Sequence, residues 1–281
     1  MAERRTRVDA TTHLVGVIGW PVEHSLSPII HNTAFIALDM DWVYLPLPVA
    51  PGRLRDALGG LGPLGFAGAN VTMPHKSESA EIADVLSDDA RLLHAVNTLV
   101  VGPAGLAGHN TDAPGFERFL RRDAGCDPSG RTAMIYGAGG AARACALALA
   151  RAGIAGLAVA ARETSRARGV LEMLDGFDLE TTAMPLEDAA SHPAEIIVNA
   201  TPLGAHGEEL PLPPVGAGTL VVDLLYRPTS TPLLAAAREA GAAAFGGLGL
   251  LLHQAAISFE LWTGQQPPLA AMSAAALAEL T

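Results

Sequence analysis

The chain has 281 residues, 49% of them hydrophobic and 17% charged, with 18 Lys and Arg against 29 Asp and Glu for a net charge of −11. The length suggests about two domains, and the composition excludes a disordered chain. So acidic a chain lacks the clustered cations that nucleic acid requires, and any anion it binds has to be met by a few local groups.

Two cysteines, Cys126 and Cys145, form no CxxC and no metal spacing, as expected of a cytoplasmic protein without disulfides. The opening MAERRTRVDATTH leads into LVGVIG, too short an apolar run for a signal peptide. No apolar stretch approaches the roughly 18 residues of a membrane span.

Apolar runs alternate with helical patterns along the chain. Residues 14–19 read as a buried strand, Ser27 to Met40 as a helix, and 42–49 as a strand whose prolines suggest an edge. A short helix over 52–60, a strand over 65–72 and a helix from Pro74 to Leu86 follow. VNTLVV (96–101) and LAGHN (106–110) form a hairpin across GPAG, and a helix runs from Asp112 to Ala124. A second block starts near Gly130: strands at 132–136, 157–161, 195–201 and 219–226, helices at 142–153, 165–174 and 232–239, and a short strand at AAAFG. Two apolar helices close the chain. This alternation predicts an α/β protein with mostly parallel, doubly wound sheets.

YGAGGAAR (136–143) lies between a predicted strand and a predicted helix. Gly137-x-Gly139-x-x-Ala142 fits the dinucleotide fingerprint: a tight turn, a position without a side chain where pyrophosphate approaches, and a small residue where helix meets strand. The helix N-terminus then supplies N–H groups for the phosphates. The next strand ends in Ala161-Arg162-Glu163, with Arg166 one turn on. Two cations at this tip favour the 2′-phosphate of NADP, whereas Glu163 favours NAD. A solvated Arg–Glu pair is the structural alternative.

The first block carries polar residues at predicted strand ends. In HSLSP, Ser27 suits a helix N-cap and Pro28 the first helical position, which leaves Ser25 without a structural role. GANVTMPHK presents Asn70 and Thr72 on one strand face, and Lys76 stands near a helix start, where the dipole disfavours it. Asn97 interrupts an apolar strand, and Asn110, Thr111 and Asp112 mark a strand-to-helix junction. Each has a structural alternative as a turn, cap or surface residue. Together they line the C-terminal rim where open α/β sheets bind ligands, and the two serines suit a carboxylate. His24, His31, His75 and His109 lie beside these motifs without metal-ligand spacing, so no metal is expected.

HSLSPIIHN, NVTMPHK, AVNTLV, NTDAPGF, GAGGAAR, NATPLG, DLLYRPTSTPLL and GLGLLLHQAAISFELWTG stand in the order and spacing of the shikimate dehydrogenase family, which the chain resembles from about residue 14 to 268. The resemblance implies two domains. One is an open α/β substrate-binding catalytic domain over 1–112 plus 247–281, formed with returning C-terminal helices, and the other a Rossmann-type NADP domain over 113–246.

It implies NADP-dependent, reversible reduction of 3-dehydroshikimate to shikimate in aromatic amino acid biosynthesis. Lys76 and Asp112 would be the catalytic pair. Ser25 and Ser27 would hold the substrate carboxylate, Asn70, Thr72, Asn97 and Gln254 its ring hydroxyls, and Tyr226 would close the site. Gly137, Ala138, Gly139, Gly140 and Ala141 would cradle the dinucleotide, Arg162 and Arg166 its 2′-phosphate, and Thr201, Gly247 and Leu250 its nicotinamide.

The chain departs from the family in three places. Ala161-Arg162-Glu163 stands for Asn-Arg-Thr, Leu250 for a methionine, and Ala113 for a glycine. A quinate or aminoshikimate dehydrogenase using NAD is the near alternative, and a non-catalytic dinucleotide sensor the remote one. The expected partner is a small carboxylate substrate, with no nucleic acid or membrane, on a monomer or homodimer.

Overall fold

The computed structural model describes residues 8–281. The chain forms two compact units. One holds the chain up to Thr111 together with Gln254–Thr281, and the other is Asp112–His253.

The first unit starts with β1 (His13–Gly19), α1 (Ser27–Ala37), β2 (Trp42–Pro48), α2 (Leu54–Leu61) and β3 (Gly68–Val71). Helix α1 stops three residues short of the Met40 expected, because Asp39 takes a left-handed backbone (φ 52°) that breaks the helical run. After β3 come α3 (Lys76–Ile82), β4 (Val85–Leu86), α4 (Asp88–Leu93), β5 (Thr98–Gly102) and β6 (Gly105–His109). The single helix expected from Pro74 to Leu86 is therefore shorter, and β4 and α4 follow it. Ser87 caps α4, its hydroxyl accepting Ala90 N–H at 3.2 Å, with Asp88 and Asp89 in the first turn favouring the helix dipole.

The six strands order as β2-β1-β3-β5-β6-β4. Proline-bearing β2 is an edge, as its sequence suggests. Strands β1, β2 and β3 run parallel, whereas β5 is antiparallel to β3 and β6. One side of the core gathers Ile18, Leu54, Leu58, Leu61, Val71 and Leu99. Aromatic rings fill another part, with Phe35 stacked on Phe259 at 5.3 Å and His31 on Tyr44 at 4.5 Å.

The second unit runs α5 (Asp112–Arg122), β7 (Thr132–Tyr136), α6 (Gly140–Arg151), β8 (Gly156–Ala161), α7 (Thr164–Glu172), β9 (Glu180–Pro185), a 3₁₀ turn (Leu186–Ser191), β10 (Ile196–Asn199), β11 (Leu220–Asp223), α8 (Pro232–Glu239) and β12 (Ala243–Gly246). All its strand pairs are parallel. The order β9-β8-β7-β10-β11-β12, counted from the unit's first strand, is 3-2-1-4-5-6, the doubly wound dinucleotide-binding arrangement. Both faces of such a sheet are covered, which is why TAMIY, LAVAA and IIVN read as continuous apolar runs.

The chain ends in α9 (Leu248–Thr263) and α10 (Leu269–Ala278). The first turns of α9 belong to the second unit. Gly249 lies so close to the Phe119 ring that a Cβ there would stand 2.4 Å from it, and His253 Nε2 meets Asp123 Oδ1 at 3.1 Å. The rest of α9 belongs to the first unit, where Trp262 Nε1 donates to Leu99 O at 2.9 Å and α10 packs on α1. No described helix is long and apolar enough to cross a membrane.

Candidate active site

The reversed strand organises the first unit's rim. The pairs Val17 with Asn70, Asn70 with Thr98, and Thr98 with His109 lie at one level of the sheet. The ends of β1, β3 and β6 and the beginning of β5 therefore share one edge. Asn97 stands at this edge because it precedes an antiparallel strand, and Thr72, Asn110 and Thr111 because they follow strands that run the other way.

Asn70 is buried, and its amide has one orientation. Nδ2 donates to the Asn97 carbonyl at 3.1 Å, a group that can only accept, and lies 3.0 Å from both Thr98 Oγ1 and Ser258 Oγ. Oδ1 then accepts from the Tyr44 hydroxyl at 2.8 Å. The amide expected to face ring hydroxyls has these bonds within the fold.

Asn97 Oδ1 accepts Thr111 N–H at 2.8 Å, and its Nδ2 donates to Thr111 Oγ1 at 3.0 Å. Thr111 Oγ1 reaches Gln254 Oε1 at 3.4 Å, and Ser258, one turn along α9, donates to the Gln254 carbonyl at 3.1 Å. Asn70, Asn97, Thr98, Thr111 and Ser258 thus form one buried network, which stays stable only while each member keeps its partners. Sequence reasoning missed Tyr44, Thr98 and Ser258. Each looks like an ordinary strand or helix residue until the fold brings residues 44, 98 and 258 to Asn70.

The serine pair departs from the capping expected of it. Ser27 is the first helical residue and Leu26 the cap, with no side-chain capping bond. It is Ser25 whose hydroxyl accepts a helix N–H, that of Ser27 at 3.2 Å, a bond that uses the oxygen and not the hydroxyl proton. Ser27 is 93% buried and hydrogen-bonds the Tyr44 phenol. Burial raises the Tyr44 pKa, against the lowering effect of that bond.

Thr72 follows β3, and its carbonyl accepts His75 N–H at 3.0 Å. His75 is buried with Nε2 at 2.6 Å from the Val49 carbonyl. Lys76 begins α3, half-buried, and its carbonyl accepts Val96 N–H at 2.8 Å, one residue before Asn97. Burial pushes His31 down to about 3 and lowers His109. Among the described residues, no group of three or more His, Cys, Asp or Glu could hold a metal ion.

In the second unit, Asp112 opens α5 and is buried. Gly137 has φ +106°, which an L side chain rarely adopts, and a Cβ there would stand 3.0 Å from the Ala200 carbonyl. At Gly139 and Gly140 a Cβ would meet nothing within 4 Å, so the turn opens onto free space at the N-terminus of twelve-residue α6. Ala138 and Ala141 are half-buried beside them, and Ala142 is fully buried against the sheet. Such a cradle fits a pyrophosphate.

Arg162 is exposed just past β8, Glu163 stands before α7 without a side-chain capping bond, and Arg166 is exposed in its first turn. Among the described residues, no ion pair joins Glu163 to either arginine, so the Arg–Glu pair weighed above does not form. Thr201 spends its hydroxyl within its own loop, donating to Asn199 Oδ1 at 2.7 Å and accepting Leu203 N–H at 3.2 Å. Tyr226 is half-buried, and burial raises its phenol. Gly247 has a packing reason of its own, since a Cβ would stand 2.0 Å from the Leu224 carbonyl. Leu250 lies half-buried in the first turn of α9. Cys145 is fully buried and its thiol pKa is raised by that burial, which rules out an activated nucleophile.

The profile of the shikimate dehydrogenase substrate binding domain matches residues 17–99, and that of the shikimate 5′-dehydrogenase C-terminal domain matches 247–277. The NADP+ shikimate dehydrogenase of Rubrobacter xylanophilus is 46% identical over 273 residues, 95% of this chain and 96% of the relative. The chain belongs to the shikimate dehydrogenase family. A crystal structure of a shikimate dehydrogenase with NADP+ superposes with a TM-score of 0.90 at 34% identity, covering 98% of each chain. The shikimate dehydrogenase of Listeria monocytogenes, crystallised with shikimate and NAD, superposes at 0.89 with 35% identity, covering 95% of this chain and 96% of that one. The family's two-domain α/β architecture is the one described above.

Proposed function

We propose that this chain is an oxidoreductase that reversibly reduces 3-dehydroshikimate to shikimate with NADPH, a step of aromatic amino acid biosynthesis. The observation that carries this reading is the likeness to NADP+ shikimate dehydrogenases over nearly the whole of both lengths, which no single motif supplies. The open glycine turn and two exposed arginines, Arg162 just past β8 and Arg166 in the first turn of α7, support the cofactor assignment.

NADPH, when bound, supplies the hydride to the ring carbonyl carbon. The chain's residues orient the ketone and deliver one proton. In this reading the Lys76 ammonium stabilises the developing alkoxide and gives it the proton, and Asp112 orients the ammonium and accepts a bond from a neighbouring hydroxyl. The placement of Lys76 at a helix start, against the dipole, supports a role outside the helix. Ser25 with the N-terminus of eleven-residue α1 receives the carboxylate, and Ser27 completes that seat. Thr72, Asn97 and Gln254 meet ring hydroxyls while Asn70 holds Asn97 and Thr98. Tyr226 closes the site. Arg162 and Arg166 meet the 2′-phosphate, and Thr201, Gly247 and Leu250 border the nicotinamide.

Initial rates with shikimate and quinate, each with NADP+ and NAD+, test the assignment. The highest kcat/KM is expected for shikimate with NADP+. A highest value for quinate, or with NAD+, replaces it with the neighbouring activity.

A further inference from the structure

At the ends of β10 and β11, Asn199 and Asp223 face each other in register, and both are completely buried. The Asp223 carboxylate is held at both oxygens. Oδ1 accepts from Asn199 Nδ2 at 3.0 Å and from Leu225 N–H at 3.1 Å, and Oδ2 accepts the Thr231 hydroxyl at 2.7 Å. Thr231 in turn caps α8 through Leu234 N–H at 3.3 Å.

Asn199 passes the constraint on. Its Nδ2 also donates to Leu203 O at 3.0 Å, and its Oδ1 takes both the N–H and the hydroxyl of Thr201, at 3.0 and 2.7 Å. The Asn199 amide cannot flip, because Leu203 O can only accept. The loop so held lies against the glycine turn: the Cβ position of Gly137 is 3.0 Å from both Ala200 O and the Thr201 methyl. Strands β7 and β10 are the neighbours where the strand order reverses, the crevice in which such sheets bind ligands.

We infer that Asp223 is a positioning residue for the dinucleotide, a buried carboxylate that holds residues 199–203 through Asn199 and thereby fixes the glycine turn of residues 137–140. A carboxylate only accepts, so it sets the direction of each hydrogen bond from Asp223 to Thr201, and its bonds are shorter and stronger than neutral ones.

The inference rests on the dinucleotide reading of the second unit, and one experiment separates the two. NADPH is titrated into the wild-type chain, Asp223→Asn and Thr201→Val with fluorescence as the readout. KM for NADPH and for 3-dehydroshikimate, kcat and the melting temperature are measured alongside. If wild type does not bind NADPH, the dinucleotide reading itself fails.

With wild type binding, Asp223→Asn is expected to raise the NADPH Kd roughly 5- to 20-fold, the scale of weakening one charge-assisted bond. The KM for 3-dehydroshikimate is expected to stay within about twofold. Thr201→Val removes the hydroxyl's bonds to Asn199 Oδ1 and from Leu203 N–H, leaves the Thr201 N–H bond and the Asp223–Asn199 pair in place, and so loosens the last link; it is expected to raise the same Kd. A merely structural carboxylate would lower the melting temperature and leave the NADPH Kd alone, or change both KM values together. Either result overturns the inference. If Asp223→Asn does not fold, an unchanged Kd in Thr201→Val overturns it.

Discussion

Two glycines of the second unit should fail in opposite ways when each receives one methyl group. In Gly247→Ala the new Cβ would stand 2.0 Å from Leu224 O, 2.4 Å from its carbonyl carbon and 2.9 Å from its Cα. All three are backbone atoms, so no flexible side chain can give way, and the segment leaving β11 has to shift by roughly an ångström. Overpacking of this kind costs about 3 kcal/mol or more. For a unit of this size that corresponds to a drop of roughly 6–12 °C in melting temperature. In Gly139→Ala the new Cβ meets nothing within 4 Å and the backbone is extended (φ −87°, ψ −173°), so stability should stay within about 0.5 kcal/mol. That methyl instead occupies the space the phosphates need, and NADPH affinity should fall at least about tenfold, or about 1.4 kcal/mol. Thermal melts with and without NADPH, plus a fluorescence titration, read both effects. A Gly247→Ala protein that melts with wild type while losing NADPH would refute the packing argument. A Gly139→Ala protein that binds NADPH normally would remove the glycine turn as the phosphate cradle.

Replacing Lys76 by alanine should lower kcat by about 10²- to 10⁴-fold, the usual range for a positioned acid, and unchanged turnover would take it out of the mechanism. Glu163→Gln removes a carboxylate beside two arginines. It should raise the kcat/KM ratio of NADP+ over NAD+ about 3- to 10-fold, an effect that shrinks with added salt; a constant ratio would mean Glu163 does not face the cofactor. His31 is fully buried and neutral, its pKa pushed from 6.5 to about 3. Its folded pKa is depressed, so this contribution is complete above about pH 6.5 and is lost as pH falls toward 3, at about 1.4 kcal/mol per unit. Urea melts of His31→Phe should therefore show a flatter acid limb than wild type between pH 6 and 4, and parallel profiles would contradict the burial argument.

The sequence made the second unit legible because a parallel sheet covered on both faces writes long apolar runs, and the glycine turn marks where the order reverses. It hid β4, only two residues long, and β9, whose ETTAMP alternates weakly on a sheet edge. The rim was legible as a collection of polar residues at strand ends. What could not be read was which of them bond to one another. Asn70 looks available in a sequence, and only the pairing of β3 with β5 reveals that its amide already has partners. Asn199 and Asp223 read as strand ends for the same reason, since the register that joins them is a property of the folded sheet.

The groups that bond to Asn70 come from a strand edge, a rim turn and a late helix, at positions 44, 97, 98 and 258. At 97 the partner is the backbone carbonyl, which any residue keeps, but an apolar swap at 44 strands the buried Asn70 Oδ1, and one at 98 or 258 takes a hydroxyl from the Asn70 amide. Attempts to retune this enzyme for differently substituted rings by altering one rim residue at a time should thus meet a threshold, with paired changes succeeding where the separate ones fail.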